Sequence, residues 1–302
     1  MTLTPVITES LKVTGLKISG LTDIIFPLTS KLIEGHVIEG NALAMAGSVG
    51  DDDRYFLKSI TGLEPPEQGI TIAKTRSGGS YQGKNVSDRE IVMLIGLNPN
   101  EDAGETSKFL RDQLYSMINA GYDPKVRFSL LYGIFEMAYV DAYVNKFEAT
   151  LSDANPMVQI TFACLKPTFE SPYLTRYAGN SLDEHFPNVY NRGTAETGFK
   201  FAVRFTDTMG RWFIRQADNR SIGMTFINDF EAGDVLRVST VPGNRYVHVK
   251  KHRKKVQNKL GILQDDYEWV QLRPGMNNFV VPKRDRWDWK GNLTFTAKYW
   301  GA

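Results

Sequence analysis

The histidines His36, His185, His248 and His252 are the side chains best suited to holding a metal, and only His248 and His252 stand four residues apart. That spacing would put two imidazoles on one helical face. The pair lies in a basic stretch without an acidic third ligand, however, and neighbouring cations repel a metal ion. Solvated surface histidines are expected, and no metal site is assigned. Asp51-Asp52-Asp53 concentrates negative charge but lacks the alternating oxygen ligands and distant Glu of a calcium loop, so a solvated turn is expected there. Gly78-Gly79-Ser80-Tyr81-Gln82 comes nearest to a serine-nucleophile turn, yet its second glycine is missing. No phosphate-cradling loop ends in Lys-Ser or Lys-Thr, and no GxGxxG follows a strand. The expectation is a protein that is not an enzyme and carries no cofactor.

Two further clusters concern binding. Arg245, Lys250, Lys251, Arg253, Lys254, Lys255 and Lys259 form the one patch able to grip phosphates, with Tyr246 and His248 interleaved. The favoured reading is a hairpin or edge strand kept soluble by its lysines, with Asp265, Asp266 and Glu268 partly neutralising it. The tryptophans Trp212, Trp269, Trp287, Trp289 and Trp300, with Tyr267, Phe213 and Tyr299, could stack on a sugar. Core packing is the favoured role of these rings. Trp287 and Trp289, in a turn-like charged setting, are the candidates for sugar contact.

Composition narrows the partners. The 36 Lys and Arg against 34 Asp and Glu give a net charge of +2, too balanced for nucleic acid or anionic lipid to be the main partner. A single cysteine, Cys164, excludes an intrachain disulfide and suits folding in a reducing compartment. The N-terminal stretch lacks the pattern of a signal peptide, and no run reaches about 18 apolar residues, so a soluble, unexported chain is expected.

The elements that must position these residues are mostly strands. With 302 residues and roughly 150 per domain, two domains are expected. Short apolar segments punctuated by Gly, Asn, Asp and Pro predict strands over 55–60, 69–76, 89–97, 126–131, 134–147 and 157–165, with Ile91–Ile95 central and doubly buried. One helix is predicted over 105–120, where Leu110, Leu114, Met117 and Ile118 recur at helical spacing. Thr106 or Ser107 is suited to cap it, Glu105 to place charge at its start, and Gly121 to close it. The prolines at 167 and 172 suggest a boundary, giving domains of 1–168 and 169–302. Beyond it, segments at 199–206, 211–215, 222–227, 235–240, 245–250, 269–272, 278–281 and 293–299 suggest a β-sandwich.

Taken in order, several pieces resemble the distal tail protein family of long-tailed bacteriophages. They are Ile60-Thr61-Gly62-Leu63-Glu64-Pro65-Pro66, then Asp88-Arg89-Glu90-Ile91-Val92-Met93-Leu94-Ile95, the following helix, the strand closing at Ile160–Pro167, and Trp269–Asn278 with its Leu, Pro-Gly, Asn turn. The resemblance implies a mainly β protein, with an N-terminal tail-tube-like β-barrel carrying one α-helix and a C-terminal galectin-like or carbohydrate-module-like β-sandwich. It implies a virion structural protein made in the host cytoplasm and placed at the distal end of the tail. There, six copies would form a ring linking the tail tube protein to tail-tip lysin or receptor-binding proteins. The alternative is a carbohydrate- or receptor-binding tail protein using its aromatic-rich sandwich. Gly62, Leu63, Glu64, Pro65, Pro66 and Arg89 are the expected assembly contacts, with Asn98-Pro99-Asn100 as a second exposed turn. Ordinary turn chemistry accounts equally well for these positions. The galectin-type sugar signature is absent, so sugar binding does not follow from the resemblance.

Overall fold

The computed structural model describes residues 15–19, 23–27, 40–41, 44–45, 54–66, 68–75, 78–100, 102, 104–118, 125–132, 135–149, 156–180, 182, 185–219, 222–252, 254–264, 267–283 and 288–301. They form a mainly β protein with one α-helix. The chain divides into two compact units, one from the described part of Ser10–Pro172 together with that of Tyr299–Ala302, the other from Tyr173–Lys298.

In the first unit the strands are β1 (Gly15–Ser19), β2 (Asp23–Pro27), β3 (Gly40–Asn41), β4 (Ala44–Met45), β5 (Tyr55–Thr61), β6 (Gln68–Thr75), β7 (Gly78–Val86), β8 (Arg89–Leu97), β9 (Lys125–Tyr132), β10 (Phe135–Ala149) and β11 (Met157–Cys164). The helix α1 (Ser107–Met117) lies between β8 and β9. The antiparallel order is β4-β2-β1-β9-β10-β11-β8-β5-β3, and β6 pairs with β7 as a separate hairpin. Strand β8 is central, as expected, with β5 on one side and β11 on the other. Its two faces differ, however: Ile91, Met93 and Ile95 are fully buried, whereas Val92 and Leu94 are half-buried. Arg89 stands at the head of the buried row, because side chains two apart share a face.

The helix presents the four residues expected of it, since Leu110, Leu114, Met117 and Ile118 are all buried. Thr106 caps its start, its Oγ1 accepting from the N–H of Phe109 at 3.2 Å. Glu105 stands one residue before this cap and holds the entry loop as well. It accepts from Arg54 at 3.2 Å and from the N–H of Asn100 at 3.1 Å. Tyr55 anchors the helix from below, donating to the carbonyl of Leu110 at 2.9 Å. Gly121, the expected closing residue, lies outside the described residues.

The second unit is two antiparallel sheets. Its strands are the later part of β12 (Phe169–Asn180), β13 (His185–Asn191), β14 (Phe199–Phe205), β15 (Met209–Gln216), β16 (Gly223–Phe230), β17 (Val235–Ser239), β18 (Tyr246–Lys250), β19 (Val256–Asn258), β20 (Gly275–Val280) and β21 (Trp289–Tyr299). One sheet runs β19-β18-β17-β14-β21-β12 and the other β13-β20-β15-β16. Rings from facing sheets fill the space between them. Phe201 lies 5.3 Å from Trp212 and 6.0 Å from Phe226, Phe199 lies 5.8 Å from Phe279, and Trp212 meets Trp289 edge-on at 5.8 Å. Each fully buried aromatic ring contributes roughly 1.5–3 kcal/mol, so this cluster is a substantial part of the core of the unit.

Several segments depart from the sequence reading. The stretch expected to be a proline-stiffened connection is β12, which crosses from one unit into the other and contains Pro172. Pro172 is tolerated because β12 meets β10 only at Glu170 opposite Tyr139, leaving that side of the strand without a continuous ladder. Trp269–Leu272, expected as a strand, makes only an isolated bridge from Leu272 to Thr197. Strands β1 to β4, β7 and β13 fall where no strand was expected.

Candidate assembly site

The turn after β5 brings Gly62, Leu63, Glu64, Pro65 and Pro66 to one corner of the first unit. Gly62 has φ +87°, and a methyl group on it would sit 1.9 Å from the carbonyl oxygen of Glu90, so the position admits only glycine. Leu63 is fully buried, while Glu64 and Pro65 are exposed and Pro66 half-exposed. Inside the turn the N–H of Gly62 donates to the Glu64 carboxylate at 3.1 Å. The turn is thus an exposed two-residue tip over a buried leucine.

Arg89 holds the tip from beneath. The residue is only 2% exposed, and its guanidinium donates to four backbone carbonyls. Nη1 reaches the carbonyls of Gly62 and of Glu64, the latter at 2.9 Å. Nε reaches Pro167 at 2.9 Å, and Nη2 reaches Trp300. The ring of Phe169 lies 4.6 Å from the guanidinium carbon. An ammonium could not make this arrangement, because only the planar fork presents donors in several fixed directions at once. Burial draws the Arg89 pKa down to about 10, with Cys164 and Glu64 opposing the shift, so the cation persists at neutral pH.

Cys164 sits opposite Arg89 in the β8–β11 register. Burial pushes its thiol up to about 12, against the pull of Arg89, so at neutral pH it is a protonated packing group and not a nucleophile. Gly301 completes the corner. A methyl group there would lie 2.8 Å from the carbonyl oxygen of Leu63 and 3.0 Å from Pro65, so the segment after β21 passes hard against the tip.

The structure therefore brings Gly62 to Pro66 and Arg89 into one site, but in different roles. Glu64 and Pro65 present surface, whereas Arg89 is buried and cannot meet a partner directly. Arg89 begins a strand whose alternate residues form an apolar row, and a charge at the head of such a row was the available signal that it would be buried. Trp300 and Gly301 gave no such signal, because nothing local marks a segment that returns across 211 residues of chain to Arg89. Asn98 and Asn100 are exposed on the second turn, with the N–H of Asn98 bonded to Arg54 at 2.8 Å.

The sugar-contact candidates fare differently. Trp289 is fully buried and its indole N–H donates to the carbonyl of Pro282 at 3.0 Å, so it has no ring face to offer a ligand; Trp287 lies outside the described residues. Trp212 and Tyr299 are buried as well, in keeping with the favoured core role of these rings. Trp269 remains half-buried between Tyr267, edge-on at 5.6 Å, and the guanidinium of Arg245 at 5.5 Å.

The basic segment forms the expected edge hairpin, β18 pairing with β19 at the end of its sheet. Part of its charge is compensated by Asp234. Lys251 pairs with the fully buried Asp234 at 2.8 Å, and the same carboxylate accepts from the N–H groups of Glu231 and His252, each at 3.0 Å. Burial would raise the Asp234 pKa, but Lys251 and these two N–H donors prevail and hold it below the usual carboxylate value. Asp265 and Asp266 lie outside the described residues, as do His36 and Asp51-Asp52-Asp53. His248 stacks on Tyr246 at 4.4 Å.

Residues 192–299 match the family described as siphovirus-type tail component, C-terminal domain. No curated protein matches the chain in sequence. Among solved structures, the fold is similar to that of the Dit protein of phage SPP1, a paradigm of the hub adsorption apparatus in phages that infect Gram-positive bacteria. The likeness has 14% identity and a TM-score of 0.56, covering 82% of this chain and 94% of that one. Structures of the phage P2 baseplate in its activated conformation, with Ca and with Sr, align at 10% identity over 93% and 94% of this chain and 97% and 98% of theirs, at a TM-score of 0.37 that bears no weight. The resemblance to the distal tail family is borne out in sequence over residues 192–299, and over most of the chain the likeness is one of fold.

Proposed function

We propose, from the match of residues 192–299 to the siphovirus-type tail component family, that this protein is a structural hub at the distal end of a phage tail. Six copies close into a ring through the first unit, a tail-tube-like barrel, and the second unit stands as a galectin-like sandwich. The ring joins the tail tube protein to tail-tip lysin or receptor-binding proteins. The protein is made in the host cytoplasm, incorporated into the virion, and works without catalysis or cofactor.

The family match carries this reading, and the physical character of the described residues supports it. A ring subunit works through broad faces, so its contacts are dispersed over strands and turns and leave no compact motif. Gly62, Leu63, Glu64, Pro65 and Pro66 are proposed as one part of the subunit contact, with Glu64 and Pro65 touching the neighbouring copy. Arg89 belongs to that contact indirectly, through the carbonyls it holds.

Negative-stain imaging of the purified protein, alone and with its tail tube partner, tests the proposal. Closed rings with six-fold averages are expected. Particles of single-subunit size under both conditions contradict it.

A further inference from the structure

The four carbonyls around Arg89 come from three stretches of chain that are far apart in sequence. Gly62 and Glu64 belong to the tip, Pro167 precedes β12, and Trp300 follows β21. A guanidinium buried to this degree loses several kcal/mol of hydration, which only a full set of acceptors offsets. Pro167 and the tip alone supply three of the four. Trp300 supplies the remaining one, and Gly301 then lies against Leu63 and Pro65. Because Tyr299–Gly301 follows the whole of Tyr173–Lys298, the corner cannot be complete until that unit has been synthesised.

We propose that Arg89 and Tyr299–Gly301 form an assembly latch, fixing the Glu64–Pro65 tip in the shape that a second copy of the chain meets. This rests on the reading that copies of the chain assemble. The partner is a second copy, and Arg89 is a positioning residue that never touches it. Before the returning segment docks, the guanidinium lacks an acceptor and the tip lacks the backbone packed against it. A chain with an unfinished second unit therefore presents an incompetent tip and stays out of the ring. The latch makes assembly conditional on completion of the neighbouring unit, using only hydrogen bonds internal to the first.

Native mass spectrometry of the full chain, with hydrogen exchange on the same samples, tests the latch. Arg89→Met removes the four donors, Arg89→Lys keeps the charge without the fork, and Gly301→Val displaces the returning segment without altering Arg89. Each variant is expected to weaken assembly by about tenfold or more, equivalent to about 1.4 kcal/mol per tenfold. In Gly301→Val, amide exchange at residues 61–64 should rise by more than in α1, while protection in β14 stays as in the unaltered protein. A merely structural role would not concentrate the change at the tip.

If Arg89→Met does not fold, Gly301→Val decides. Faster exchange at the tip with undiminished assembly overturns the latch and leaves the ring proposal intact. An unaltered protein that remains monomeric in every condition overturns the ring proposal, and the latch with it. Loss of assembly in the variants alone, with tip exchange raised, supports both.

Discussion

Among the described residues each unit holds a buried charge with a full set of partners, Arg89 in the first and Asp234 in the second, and the two are compensated in opposite ways. Arg89 is surrounded by neutral carbonyls from distant stretches of chain. Asp234 is matched by a cation, Lys251, and by N–H groups from two turns close to it in the fold. The first arrangement uses charge to gather backbone, and its fork geometry specifies which segments must be present. The second neutralises part of a basic hairpin and fastens the turn before β17 to the segment after β18. One charge organises a corner of the surface and the other secures a local connection, so removing them should have different reach and different pH dependence.

The contrast breaks most sharply at Arg89. Arg89→Met should lower stability by about 4 kcal/mol, because four carbonyls lose their donor in a buried site. Chemical denaturation should show this loss to be the same at pH 5 and pH 8, since the folded-state value near 10 keeps Arg89 charged throughout that range. A loss under 1 kcal/mol would mean the carbonyls find other donors.

Asp234→Asn should cost about 2 kcal/mol at pH 7, the scale of hydrogen bonds to a charged group. The cost should depend on pH. The folded-state pKa is held below its ordinary value, so the stabilisation is complete above the unfolded value of about 4 and is lost as pH falls through the folded one. The gap between the denaturation curves of the parent and Asp234→Asn should therefore be widest at pH 7 and narrow as the pH is taken below the unfolded value. A constant gap would show that the carboxylate acts by shape alone.

Two exposed interactions calibrate these effects. Thr106→Ala, which removes the cap of α1, should cost about 1 kcal/mol by thermal or chemical melting. Arg273→Ala, breaking an exposed pair with Asp218 at 3.4 Å, should change stability by less than about 0.5 kcal/mol. If Arg273→Ala cost as much as Asp234→Asn, burial would not be what separates the charges.

Local rules made much of this fold legible. The apolar spacing of Leu110, Leu114, Met117 and Ile118 located the helix because helical period and burial reinforce one another. The strand at Arg89–Leu97 was legible end to end for the same reason, its alternation ending in Asn98 and Pro99. Strand β12 was hidden by Pro172, whose usual effect is to break a ladder, and which here sits where the ladder is already incomplete. Trp289 was misleading because Asp288 and the basic residues beside it suggested exposure, yet its ring is part of the sandwich core. At the candidate site, Gly62 and the two prolines declared a stiff turn, whereas the role of Arg89 depended on Pro167 and Trp300. Contacts of that span arise from tertiary pairing, which no short-range pattern encodes.

Sedimentation of the unaltered protein over a wide dilution series tests the central claim most directly. A species of six-fold subunit mass, dissociating only at high dilution, is the predicted result. A single-subunit species at the highest concentration attainable, unchanged by adding the tail tube protein, would contradict the account.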